Sequence, residues 1–112
     1  MKKIKNYING KLIDPIQKKY LKNVNPATGK VYSLVPNSQK EDVLLAVKAA
    51  ENAFVVWGKK NNKDRYKILM RLADVIESHF EKLIRAESLD SGKPEWLARS
   101  VDIPRCAENI RF

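Results

Sequence analysis

Asp90 and Arg105 are the two side chains whose neighbours best equip them for chemistry. Asp90 lies in Leu89-Asp-Ser-Gly-Lys-Pro94, where Gly92 followed by Pro94 marks a helix end. Its carboxylate therefore stands beside carbonyls that have lost their intrahelical partners, at the negative end of the helix dipole. Such a place favours a cation, with Asp90 adding a hard oxygen ligand. The alternative is that Asp90 closes the turn with a side-chain-to-backbone bond. Arg105 follows Val101 by one helical turn, so the two share a face. Its planar guanidinium matches a carboxylate through two parallel hydrogen bonds. It could also sit at the surface, free or paired with Asp102 or Glu108. Cys106 is the single cysteine. Without a base beside it in the sequence it is expected to be a small packed thiol, not a nucleophile. His79 is the single histidine and reads as a helix-surface residue, since nothing supplies zinc-ligand spacing. The four glycines, at positions 10, 29, 58 and 92, form no phosphate-cradling pattern, and Gly92-Lys93 lacks the rest of a P-loop.

The elements that must carry these groups can be read from turns and periodicity. Asn6 to Ile13 reads as a hairpin around Asn9-Gly10, a turn whose two central residues need φ > 0. Lys19 to Val24 and Val31 to Val35 read as two more strands, with Pro26 and Gly29 punctuating their connection. Ser38-Gln-Lys-Glu41 has the form of a capping box. Behind it Val43, Val47, Ala50, Phe54 and Trp57 share one helical face, with Gly58 expected as a left-handed C-terminal cap. Leu69, Leu72, Ile76, Phe80 and Leu83 share another, on a helix that starts near Asn62. That helix is either one long rod or two pieces joined by a bend near His79. A third helix begins at Pro94 and is kinked at Pro104, which cannot donate to the Ser100 carbonyl. The expected class is α+β: a small antiparallel β ribbon over residues 1–36, then a helical part over 37–112.

Composition narrows the function classes. No apolar run approaches the ~20 residues of a membrane span, and Met-Lys-Lys-Ile-Lys-Asn leads into no signal-peptide core. One cysteine points to a reducing cytoplasm. The net charge of +9 comes from 22 basic and 13 acidic residues. Lys outnumbers Arg and is scattered over strands and helices, which reads as a solvated surface and not a nucleic-acid face.

Val24-Asn-Pro-Ala-Thr-Gly-Lys30, Leu89-Asp-Ser-Gly-Lys-Pro94 and the two helices between them occur in an order that resembles the N-terminal segment of the NAD(P)-dependent aldehyde dehydrogenases. Asp102-Ile-Pro-Arg105 looks like the branch that acts on 2-aminomuconate and 2-hydroxymuconate semialdehydes. The resemblance implies oxidation of an aldehyde to a carboxylate through a thiohemiacetal, with NAD or NADP accepting hydride. It implies that the chain is the outer part of an α/β dinucleotide-binding domain, with catalytic Cys, general-base Glu and nicotinamide contacts lying beyond Phe112. The 112 residues would then be an inactive fragment whose helical faces were shaped for a missing sheet. The carbonyl of Val24 and the carboxylate of Asp90 would hold a structural monovalent cation. Val101 and Arg105 would line the substrate tunnel, where Arg105 would meet a substrate carboxylate. The complete enzyme would be a homo-dimer or tetramer, with no nucleic-acid or membrane partner. The competing reading is a freestanding basic helical module that binds nucleic acid or a protein.

Overall fold

A computed structural model describes residues 1–112, which divide into two compact units. One unit comprises Met1–Val24 and Lys30–Lys59, the other Asn25–Gly29 and Lys60–Phe112.

The first unit holds strands β1 (Lys2–Lys3), β2 (Asn6–Ile8), β3 (Lys11–Ile13), β4 (Tyr20–Asn25) and β5 (Lys30–Pro36), and helix α1 (Lys40–Trp57). Strands β2 and β3 pair antiparallel, Tyr7 opposite Leu12. Their turn has φ of 51° at Asn9 and 74° at Gly10, the left-handed pair that the Asn-Gly signal requires. Strands β4 and β5 are hydrogen-bonded neighbours in a second, three-stranded sheet of order β1-β5-β4. Their short connection permits only an antiparallel pair. The ribbon is not antiparallel throughout, however. Strand β1 runs parallel to β5, with Lys2 opposite Ser33. A charged two-residue strand has no periodicity to announce it, and its partner lies some thirty residues on.

Helix α1 starts one residue later than its expected cap. Gln39 is the cap residue, and its N–H donates to the Asp42 carboxylate at 2.8 Å. Ser38 instead exchanges hydrogen bonds with the Asn6 side chain on β2. Asp42 is 2% exposed, and its other oxygen accepts from the Ile16 N–H at 2.8 Å. One buried carboxylate thus ties the segment after the hairpin to the start of the helix, with both oxygens satisfied. The expected left-handed cap at Gly58 is not formed: its φ of −61° and ψ of −27° are right-handed, and its N–H still bonds to the Phe54 carbonyl at 2.7 Å, continuing the helical turn. The expected apolar face of α1 is largely uncovered: Val43, Val47 and Phe54 are exposed, Phe54 at 65%, while Trp57 is half-buried.

The second unit holds α2 (Asn62–Ser78), α3 (Phe80–Ser91), α4 (Glu95–Leu97), a π-helical segment (Ala98–Asp102) and α5 (Ile103–Arg111). Asn61 caps α2 by accepting from the Asp64 N–H at 2.8 Å. His79 has φ −106° and ψ 18°, and this single non-helical residue makes the bend. The Val75 carbonyl, one of the last of α2, accepts from the Ser78 hydroxyl at 2.8 Å, and the His79 Nδ1 lies 2.9 Å from the same oxygen. Ile84, Ala98 and Ile103 form the core, with Ile76, Phe80 and Leu83 packed around them. Burying Ile84 completely contributes roughly 1.5–3 kcal/mol. The expected face of α2 and α3 is thus half correct, since Leu69 and Leu72 stay exposed.

Candidate functional site

The site regions of the second unit gather around two turns. The loop Asn25–Gly29 folds on itself: the Asn25 side chain accepts from the Ala27 N–H at 2.9 Å, and its carbonyl accepts from the Gly29 N–H at 2.8 Å. Pro26 of this loop lies against Gly92, where a Cβ would come within 2.8 Å of Pro26 Cγ. Gly92 has φ +75° and donates to the Ser88 carbonyl at 3.0 Å, ending α3 in the left-handed cap its position announces. The two phrases that frame the helices in sequence therefore touch, and only glycine permits it. Asp90 stands exposed in the last turn of α3. Val24, exposed near the end of β4, belongs to the first unit. No group of three or more His, Cys, Asp or Glu side chains could hold a metal ion.

The segment after Gly92 is built by its prolines. Pro94 precedes the first turn, and the Ala98 N–H bonds back to the Pro94 carbonyl at 3.3 Å. Pro104 has no N–H, and the turn before it widens: the Ile103 N–H reaches the Ala98 carbonyl, five residues back. The expected kink is realised as this π-helical turn. Val101 lies within it and is 40% exposed. Arg105 follows on α5 and is also exposed. Asp102 pairs not with Arg105 but with Lys93, whose Nζ lies 2.7 Å from Asp102 Oδ2 and 3.5 Å from Glu87 Oε1. The Asp102 hydrogen bond holds the Lys93 ammonium above its usual range. Cys106 is exposed, not packed. It sits beside Ala107, and the buried stripe of α5 consists of Ile103 and Ala107 instead.

Two further ion pairs brace the helices. Arg99 in the π segment grips Glu81 on α3 with two bonds, the Nη2–Oε2 one 2.9 Å long. Arg111 at the end of α5 binds Glu77 at 2.8 Å and Asp74 at 2.9 Å, both on α2. The Arg111 hydrogen bond lowers the Glu77 pKa, and the Arg99 hydrogen bond does the same for Glu81. Sequence reading offered Asp102 to Arg105 and used Pro26 only as punctuation; it missed the Lys93–Asp102 pair and the Pro26–Gly92 contact. No local signal announces either, because the partners are separated by nine residues and by more than sixty.

Residues 13–112 match the aldehyde dehydrogenase family. The chain belongs to that family. It is 48% identical over 109 residues to the 2-aminomuconic semialdehyde dehydrogenase of Danio rerio, covering 97% of this chain and 22% of the relative. It is 41% identical to the 2-hydroxymuconic semialdehyde dehydrogenase of Pseudomonas sp. strain CF600, covering 99% and 23%. Among solved structures, the NAD+ complex of the Bacillus cereus aldehyde dehydrogenase superposes with a TM-score of 0.93 at 40% identity, over 98% of this chain and 23% of that one. The chain thus spans less than a quarter of the length of these aldehyde dehydrogenases.

Proposed function

We propose that the protein oxidises an aldehyde that also carries a carboxylate, a semialdehyde of the muconic type, with NAD as hydride acceptor. The observation that carries this reading is the 41–48% identity, along nearly the whole chain, to enzymes named for muconic semialdehydes. NAD is favoured over NADP by the similar structure solved with NAD+. In this reading residues 1–112 are the outer part of the dinucleotide-binding domain and supply one wall of the substrate tunnel. Nucleophile, general base and nicotinamide contacts come from other residues, so this stretch by itself is inactive. The reaction takes place in a reducing cytoplasm, in a homo-dimer or tetramer.

Within the tunnel wall, Val101 gives the aldehyde an apolar surface and Arg105 binds its carboxylate. Three features support the role of Arg105. Its side chain is exposed on α5, the neighbouring Asp102 is engaged elsewhere, and a guanidinium suits two-point recognition of a carboxylate. Asp90 keeps a further role, as the carboxylate ligand of a potassium or sodium ion, with the Val24 carbonyl as another ligand. The C-terminal end of α3 favours positive charge.

The test is Arg105→Ala in the full-length dehydrogenase, assayed on an acidic and an uncharged aldehyde. Charge-assisted hydrogen bonds of ~1.5–3 kcal/mol predict a roughly 10- to 100-fold loss of kcat/KM on the acidic substrate. The uncharged one should change by less than about threefold. Equal losses on both would refute carboxylate recognition by Arg105.

A further inference from the structure

The Lys93 ammonium bridges two carboxylates that belong to different elements. Glu87 lies on α3, and Asp102 closes the π-helical segment. Asp102 also precedes Arg105 by three residues, the spacing at which opposite charges on a helix meet. Two cations therefore compete for one carboxylate, and Lys93 holds it, at 2.7 Å. Glu87 matters to that outcome. It anchors the ammonium from α3 at 3.5 Å, so Lys93 has a second reason to stay where Asp102 can reach it. Glu108, three residues after Arg105, is exposed on α5 and is the second carboxylate within helical reach of the guanidinium.

We propose that Lys93 is a positioning residue for substrate selection: by holding Asp102 it keeps one of the two carboxylates within a helical turn of Arg105 off the guanidinium, and so leaves that group more open to the carboxylate of the substrate. The inference rests on the reading of Arg105 as the carboxylate-binding group and adds to it a device that keeps the group more open. An internal aspartate and a substrate carboxylate are chemically equivalent partners for a guanidinium. A tunnel arginine beside an unrestrained aspartate would be partly self-inhibited.

The experiment is a cycle in the full-length dehydrogenase, reading KM for an acidic aldehyde relative to an uncharged one of similar size. Lys93→Met should raise that ratio roughly two- to fivefold, the range spanned by an exposed ion pair. Lys93→Met combined with Asp102→Asn should restore it, because the freed competitor is gone. Asp102→Asn alone should leave the ratio unchanged or lower it. A bracing role for Lys93 would affect both substrates alike and would not be rescued by removing Asp102. Failure of the double variant to restore the ratio, or a rise with Asp102→Asn alone, would overturn the proposal. Should Lys93→Met not fold, Lys93→Gln, which keeps the stem and removes the charge, takes its place in the cycle with the same expected and overturning outcomes. Arg105→Ala measured alongside separates the two ideas. Loss of acid preference there with no rescue in the cycle sinks only the role of Lys93, and unchanged preference sinks the Arg105 reading beneath it.

Discussion

Helix α1 and the α2–α3 pair carry the same kind of apolar stripe and meet different fates. On α3 and the end of α2, Ile76, Phe80, Leu83 and Ile84 are covered by Ala98 and Ile103 from the segment after Gly92. On α1, Val43, Val47 and Phe54 remain exposed, along with Leu44, Leu45, Val55 and Val56. Only the small Ala46 and Ala49 of its middle turns are half-buried, and they line hollows shared with the β2–β3 hairpin. A 3.6-residue period states that a helix face is made to be covered; it does not state by what. The second unit covers the α3 half of its stripe from within residues 60–112, while Leu69 and Leu72 on α2 stay exposed. The first unit leaves an apolar surface of the kind that marks a contact with further protein.

The sharpest way to break this contrast is a pair of substitutions. Ile84→Ala removes a fully buried side chain and should cost about 2–5 kcal/mol, read from urea or thermal unfolding. Phe54→Ser, at a position 65% exposed, should change stability by no more than about 0.5 kcal/mol. Similar costs at both would mean that the α1 face is covered after all. A second pair sharpens the comparison through the backbone. Gly10 and Gly92 both have φ near +75°, but nothing lies within 4 Å of a Cβ built at Gly10, whereas Pro26 crowds one at Gly92. Gly10→Ala should cost about 1 kcal/mol from the left-handed conformation alone. Gly92→Ala should cost about 2 kcal/mol or more, because Pro26 must also move. Equal losses would deny the contact between the two framing phrases.

The smallest effect is electrostatic. In the second unit the Arg111 hydrogen bond lowers the Glu77 pKa below its ordinary 4.5. In the first, Asp14 is lowered below 3.8, chiefly by the Tyr20 hydroxyl, which donates to it at 2.6 Å. A carboxylate with a depressed native pKa adds stability above its unfolded pKa and loses it as pH falls through the native one. Glu77→Gln should therefore flatten the fall of Tm with acid below about pH 4.5, with little change at pH 7 beyond the lost pair. The Glu77 effect should shrink in high salt more than that of Asp14→Asn, whose leading partner is an uncharged hydroxyl. An unaltered acid limb in the Glu77 variant would remove the Arg111 pair as a source of stability.

Much of the local structure was legible because its causes are local. The Asn9-Gly10 turn, the starts near Asn62 and Pro94, the stop at Gly92 and the disturbance at Pro104 each follow from one residue's backbone preferences, whereas the sequence left open whether the helix from Asn62 is one rod or bends near His79. The α1 cap was misplaced by one residue because a distant partner intervened. Asn6 on β2 takes the Ser38 hydroxyl, and Asp42 serves Gln39 and Ile16 together. Strand β1 was invisible because two lysines show no pattern until β5 supplies the register. Cys106 was misjudged because the turn of α5 that it occupies buries Ile103 and Ala107 instead. At the candidate site, Asp90 and Arg105 could be singled out by residue type and neighbours. That Asp102 belongs to Lys93 could not, since Arg105 is the nearer cation along the chain.

By itself, then, the sequence determined the family, through its resemblance, and the main turns, the approximate helix starts and stops and which faces are apolar, through neighbouring residues and their spacing. Only the tertiary structure decided which of those faces are covered and which cation holds which carboxylate. Those outcomes depend on free energies of contact between residues far apart along the chain, and no local pattern contains them.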